Sequence, residues 1–168
     1  FIDISEDDFN INADLIENHI SKRTKAIFVV DIFGIPSNFD AIQRIAKKHN
    51  LFLISDSAQA PGAKYNEEFA GTLTDIGGIS LNYHKHIHTG EGGMLFTNNS
   101  DFALRLQLIR NHAESVVRDA KIENIGNLIG FNFRMGEIEA AIGIVQLNKL
   151  TDIIEDKRHY ARELSKGL

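Results

Sequence analysis

The chain has 168 residues, 43% of them hydrophobic and 24% charged, with a mean hydropathy of -0.16; this balance excludes a disordered or fibrous polypeptide and fits one globular domain. A net charge of -5 without a Lys/Arg cluster excludes the electrostatic footprint of a nucleic-acid or anionic-membrane binder. The chain has no Cys, which removes disulfide and thiolate chemistry and is compatible with a reducing cytoplasm.

The acidic start, with Asp3, Glu6, Asp7 and Asp8, is the opposite of a signal peptide. Leu15, Ile16, His19 and Ile20 then predict a short helical face. Ala26 to Val30 reads as a buried strand, and as the longest pure apolar run of the chain it is far short of the roughly 20 residues of a membrane helix. After Gly34-Ile35-Pro36, Ser37-Asn38 caps a helix with Phe39, Ile42, Ile45, Ala46 and His49 on one face. Leu51-Phe52-Leu53-Ile54 is a second strand ending at Asp56. Continuous apolar strands separated by a helix predict parallel strands covered on both faces.

Lys64-Tyr65-Asn66 and Phe69-Ala70 flank Glu67-Glu68 as a small hairpin, and further strands are expected at 76–81 and 93–97. Phe102, Leu106 and Ile109 mark one helix; Met135, Ile138, Ile142, Val145 and then Leu147 or Leu150 mark a longer one. Residues 113–132 have weak periodicity and read as a surface excursion or partner-facing loop. The start at Phe1 without Met, and the stop at Gly167-Leu168 straight after a helical pattern, suggest a piece of a longer chain.

Ligands of open parallel sheets collect beyond the carboxyl ends of the strands. Asp56 stands at such an end, before the small residues Ser57-Ala58, and on position alone either caps the turn or meets a ligand. Ser80 and Lys85 follow the third strand. Lys85 is either a solvated side chain or, desolvated beside a glycine-rich turn, an amine of lowered pKa able to form a Schiff base. His84, His86 and His88 would share one face of a strand, as metal ligands can. No second ligand cluster supports this, the glycines at 90, 92 and 93 favour a turn, and no metal is expected. Gly90-Glu91-Gly92-Gly93 offers backbone N–H groups to a phosphate, but a strand follows it, so it is neither a dinucleotide fingerprint nor a P-loop.

Taken in order, these segments resemble the DegT/DnrJ/EryC1/StrS family of sugar aminotransferases, pyridoxal-phosphate (PLP) enzymes of fold type I. Phe1-Ile2-Asp3-Ile4 with Phe9-Asn10, and Gly34-Ile35-Pro36 with Phe39-Asp40, are similar to family turns. Asp56-Ser57-Ala58-Gln59-Ala60-Pro61-Gly62-Ala63 resembles D-x-A-Q-A-x-G-A. Ser80 to Lys85 followed by Gly90-Glu91-Gly92-Gly93 resembles S-[FL]-x-x-x-K-x-x-x-x-G-E-G-G, and Asn132-Phe133-Arg134-Met135 with Glu137 resembles N-[YF]-R-M-x-E.

The resemblance implies a three-layer α/β/α fold with a mostly parallel sheet. Residues 1–168 would be the central part of the PLP-binding large domain, without its N-terminal segment or the C-terminal small domain. It implies amino transfer, with L-glutamate as donor, to a nucleotide-linked keto sugar in polysaccharide or natural-product biosynthesis. Lys85 would hold the cofactor and move the proton, Asp56 would pair with the pyridinium nitrogen, Gln59 would lie near the ring's O3′, and Ser80 would hold the phosphate. Asn132, with Arg134, would reach the neighbouring subunit's phosphate, so that a homodimer shares its active sites. The glycines after the lysine would then supply φ freedom and close packing rather than phosphate binding. His86 and His88 are not fixed by the motif and either line a sugar pocket or are polar loop residues. The alternatives are a non-catalytic fragment or dimerisation module, and a fold-type I enzyme acting on amino acids.

Overall fold

A computed structural model describes residues 1–114 and 128–168. The chain enters through α1 (Ala13–Ile16), where the Asn12 side chain accepts the Asp14 amide proton, and a 3-10 turn over Glu17–His19. β1 (Ala26–Val30) follows, then a 3-10 turn at Ile32–Gly34 and α2 (Phe39–His49). Asn38 caps α2 by accepting from the Ala41 amide at 3.2 Å, and Asn50, at φ 52°, ends it in the left-handed region. Asn tolerates that conformation better than most residues.

β2 (Phe52–Asp56) lies parallel to β1, with Ala26 opposite Phe52 and Val30 opposite Asp56. A two-rung hairpin, β3 (Lys64–Tyr65) and β4 (Glu68–Phe69), turns through Asn66 and Glu67, both at positive φ. β5 (Ile76–Ser80) joins β2 in parallel, and β6 (Gly93–Phe96) runs antiparallel to β5. The sheet order is β1-β2-β5-β6. Gly77 faces the Gly71 carbonyl so closely that a Cβ would collide with it, so a side chain at 77 would push β5 away from the turn that feeds it.

Three helices complete the described chain: α3 (Ser100–Arg110), α4 (Glu137–Asn148) and α5 (Leu150–Gly167). No helix among the described residues is long and apolar enough to cross a membrane. The core is a cluster of Ile16, Ile27, Val29, Phe39, Ile42, Ala46 and Leu53. Alternate residues of β1 and β2 thus point at α1 and α2, and α2 seals them with the face predicted from its periodicity.

Two expectations are modified. The strands were expected to be covered on both faces, but Phe28 and Leu95 are 58% and 61% exposed; among the described residues, Phe102 of α3 reaches this second face, against Phe52 with ring centroids 5.4 Å apart. The long helix expected from Met135 begins at Glu137 and breaks at Lys149, whose amide bonds the Gln146 carbonyl at 3.0 Å in a tighter i→i−3 turn. Within the weakly periodic segment expected at 113–132, residues 115–127 lie outside the described residues.

Candidate active site

The parallel strands β1, β2 and β5 deliver Asp31, Asp56 and Ser80 to one end of the sheet. Asp56 and Ser80 line a cavity of about 320 Å³, together with Phe28, Ala58, Gly92 and Leu95. One Asp56 carboxylate oxygen, Oδ1, accepts the Ala58 amide proton at 2.9 Å. Asp56 thus closes its own turn through one oxygen and also lines the cavity. A larger cleft of about 490 Å³, lined by Lys47, Asp75 and Asn99 among others, lies at the opposite end of the strands, away from Asp56, Ser80 and Lys85.

Lys85 sits in the loop 81–92 that joins β5 to β6. Its amide donates to the Asn82 carbonyl at 2.9 Å, and its side chain is half-buried. Leu81, Ile87 and Thr89 are buried anchors of the same loop, so its ends are fixed to the core. Gly90 has φ 87° with open space where a Cβ would be, while Gly92 packs near Thr89 and Met135. The predicted meaning of the glycines, φ freedom at one and close packing at another, matches this geometry. The histidines at 84, 86 and 88 lie in a turn rather than a strand, and the described residues contain no group of three His, Asp or Glu placed to hold a metal. His86 is pushed below its ordinary range by burial, and then by the charges of Lys157 and Lys85.

Lys85 is not among the residues that line the cavity, and neither are Gln59 and Asn132. The Gln59 side-chain oxygen accepts the Phe33 amide proton at 2.8 Å, bracing the turn where Phe33 and Gly34 both take positive φ. Asn132 is exposed; it pairs with buried Asn111 across an isolated bridge and accepts from Arg134 Nε at 3.2 Å.

Sequence reasoning missed Asp31, which is fully buried. Its Oδ1 accepts from the Ser37 amide at 2.9 Å, its Oδ2 from the Ser57 hydroxyl at 2.6 Å, and its own amide donates to the Asp56 carbonyl at 2.9 Å. The carboxylate thus ties the turn after β1 to the turn that carries Asp56. Its place directly after a strand was the available signal. Asn10 is buried too; its side chain accepts from Ile32 N and donates to Ile35 O.

A mostly parallel sheet with an acid and a hydroxyl at its carboxyl ends, and a lysine loop before an antiparallel strand, is the large-domain architecture of fold-type I PLP aminotransferases. The solved Helicobacter pylori PseC, an aminotransferase involved in pseudaminic acid biosynthesis, superposes with a TM-score of 0.79 at 33% identity, over 90% of this chain and 40% of that one. An Escherichia coli GDP-4-keto-6-deoxy-D-mannose-3-dehydratase with bound hydrated PLP gives 0.84 at 32% identity, over 96% and 45%. The chain belongs to the DegT/DnrJ/EryC1/StrS aminotransferase family, whose model matches residues 1–168. Among curated relatives, GDP-perosamine synthase of Escherichia coli O157:H7 is 36% identical over 168 residues, covering 100% of this chain and 45% of the relative. The chain thus spans less than half the length of each of these proteins.

Proposed function

We propose that these residues are the central part of the large domain of a PLP-dependent aminotransferase that moves an amino group from L-glutamate to a nucleotide-linked keto sugar. The observation that carries this reading is the placement of Asp56 and Ser80 on one cavity at the strand ends, with Lys85 in the loop that leaves Ser80. The donor set suits the cofactor: a carboxylate for a ring nitrogen, a hydroxyl for a phosphate and a half-buried amine for an aldehyde, with the small Ala58 also lining the cavity. Family membership supports the reaction class, and the relatives named for GDP-sugar chemistry support the substrate class.

When bound, PLP supplies an aldehyde with which a primary amine condenses, losing water, and a ring that accepts the electron pair left when a Cα proton is removed. Asp56 holds a proton at the ring nitrogen, because a carboxylate beside a pyridine favours its charged form. Lys85 Nζ would anchor the cofactor, and as a free amine it would be the base that takes a proton from the substrate carbon and the acid that returns it. Ser80 donates its hydroxyl hydrogen to the phosphate. Gln59 braces the neighbouring 32–34 turn through Phe33 N and would lie on the ring's O3′ side when the cofactor is bound. Asn132 and Arg134 serve the site of a second subunit, and the enzyme works in the cytoplasm as a homodimer.

The full-length protein with PLP should show a visible absorbance band and, after borohydride reduction, a stable adduct on Lys85 in peptide mass spectra. Lys85→Ala should abolish the adduct and Asp56→Ala should lower the rate of conversion by L-glutamate by roughly a hundredfold or more. Equal borohydride-stable labelling of wild type and Lys85→Ala would sink the assignment.

A further inference from the structure

Asn82 spends every polar group it has on the lysine loop. Its amide donates to Ser80 Oγ at 3.2 Å, and its carbonyl accepts from Lys85 N at 2.9 Å, which closes a four-residue turn with Asn at the first position. Its side-chain oxygen accepts from the His84 amide at 3.1 Å, and its side-chain NH₂ donates to Glu91 Oε1 at 2.7 Å. The last of these crosses the mouth of the loop and is a short, charge-assisted bond, the stronger kind. Two further bonds close the same mouth: Leu81 N to Gly92 O at 2.8 Å and Thr89 N to Leu81 O at 2.9 Å. Thr89 Oγ1 also donates to the Glu91 carbonyl at 2.7 Å, so both ends of residue 91 are held.

The Lys85 backbone is therefore located by a turn whose first residue is pinned on three sides: to the hydroxyl proposed for the phosphate, to its own turn, and to Glu91 at the far end of the loop, just before β6. We propose that Asn82 and Glu91 form a clasp that sets the position of Lys85 relative to Ser80 and Asp56, which makes both of them positioning residues for the reaction. This rests on the aminotransferase reading above. A displacement of about 1 Å of a reacting group costs on the order of a hundredfold in rate, and the Lys85 side chain is long enough to drift by that much once its turn is released.

The test uses the full-length holoenzyme with PLP and L-glutamate as probe. Stopped-flow conversion of the visible band gives a limiting rate and an apparent Kd for glutamate, and a pH titration of the band gives its midpoint. Asn82→Ala should lower the limiting rate by roughly tenfold to a hundredfold, with the apparent Kd changed less than about threefold, and should move the pH midpoint. Asn82→Asp sets two carboxylates against each other and should be at least as slow. Asn82→Asp combined with Glu91→Gln reverses the pair: the introduced amide donates to the introduced carboxylate, which still accepts from His84 N. This double variant should recover to within about threefold of wild type.

Glu91→Gln alone keeps a neutral version of the bond, is the mildest of these changes to the loop, and should show a smaller change in the same direction. A purely architectural role would lower thermal stability while leaving the limiting rate and the pH midpoint of folded protein unchanged. That result, or a double variant no faster than Asn82→Asp, overturns the clasp while the aminotransferase reading stands. A wild type with no borohydride-stable adduct on Lys85 overturns both.

Discussion

His86 neighbours the proposed cofactor lysine, and its imidazole is held below its ordinary value of 6.5, by burial first and by the Lys157 and Lys85 ammonium groups after it. A neutral ring at this place adds no third positive charge beside Lys85. The linkage has a definite sign. In the unfolded chain the ring binds a proton as pH falls through 6.5, whereas in the folded protein it resists until a lower pH. The contribution of His86 to stability is therefore fully present above 6.5 and is lost as pH falls from there toward the folded value. Replacing it by Gln should flatten that part of the pH dependence. Urea midpoints of the full-length protein at pH 7.5 and 5.5 measure this: wild type should lose more stability on acidification than His86→Gln, and parallel losses would refute the coupling. At this scale the sequence was partly legible. Asp56 and Ser80 follow apolar runs and so declare themselves at strand ends. The second partners of Gln59, Asp31 and Asn82, at Phe33, Ser57 and Glu91, are brought close by folding, and no local pattern announces them.

At the scale of elements, the turn into β5 and its first strand residues decide whether the lysine loop is delivered at all. Gly77 and Gly78 are adjacent, yet their surroundings differ. A methyl at 77 meets the Gly71 carbonyl, which is backbone of the turn that feeds β5 and cannot rotate aside as a side chain can. A methyl at 78 meets Leu95 Cδ2 at 3.0 Å, the end of an exposed side chain that can rotate away. Gly77→Ala should therefore destabilise by about 3 kcal/mol or more, and Gly78→Ala by less than about 1 kcal/mol, measured by chemical denaturation. Equal costs would mean that the Gly71 turn yields easily. The strands themselves were readable because apolar runs between glycine and polar punctuation leave little choice, and α2 was readable because its apolar positions repeat at helical spacing between an Asn cap and Asn50. The break between α4 and α5 was not: no Pro or Gly marks Lys149, and the apolar spacing carries straight through it. The apolar runs of β1 and β2 correctly indicated strands, but among the described residues their second face is covered only in part, where Phe102 meets Phe52; burial there depends on what packs on it, which lies beyond a strand's own residues.

At the scale of the molecule, the apolar surface beyond that open sheet face concentrates on α4 and the segment leading into it. Phe131 and Phe133 stack with centroids 4.9 Å apart while both are exposed. Ile138, Ile144 and Leu147 of α4 are exposed as well, Ile138 at 75%. Large exposed apolar side chains gathered on one segment mark interaction surfaces, and the segment includes Asn132, exposed and between the two phenylalanines in sequence. These facts fit the proposed homodimer in which Asn132 serves the partner's site, and that arrangement can be tested without knowing the sugar. Lys85→Ala and Asn132→Ala are each made in full-length protein, co-expressed with two different affinity tags, and the doubly tagged hybrid is isolated. In a shared-site dimer, the hybrid has one site lacking both residues and one site in which Lys85 and Asn132 are both present, from different subunits. It should convert the PLP band with L-glutamate at about half the wild-type rate per dimer, while either single-variant homodimer stays near background. If Asn132 serves the site of its own subunit, every site of the hybrid carries a defect and no activity returns. The hybrid thus separates a dimer formed merely to cover apolar surface from one whose active site is built by both chains.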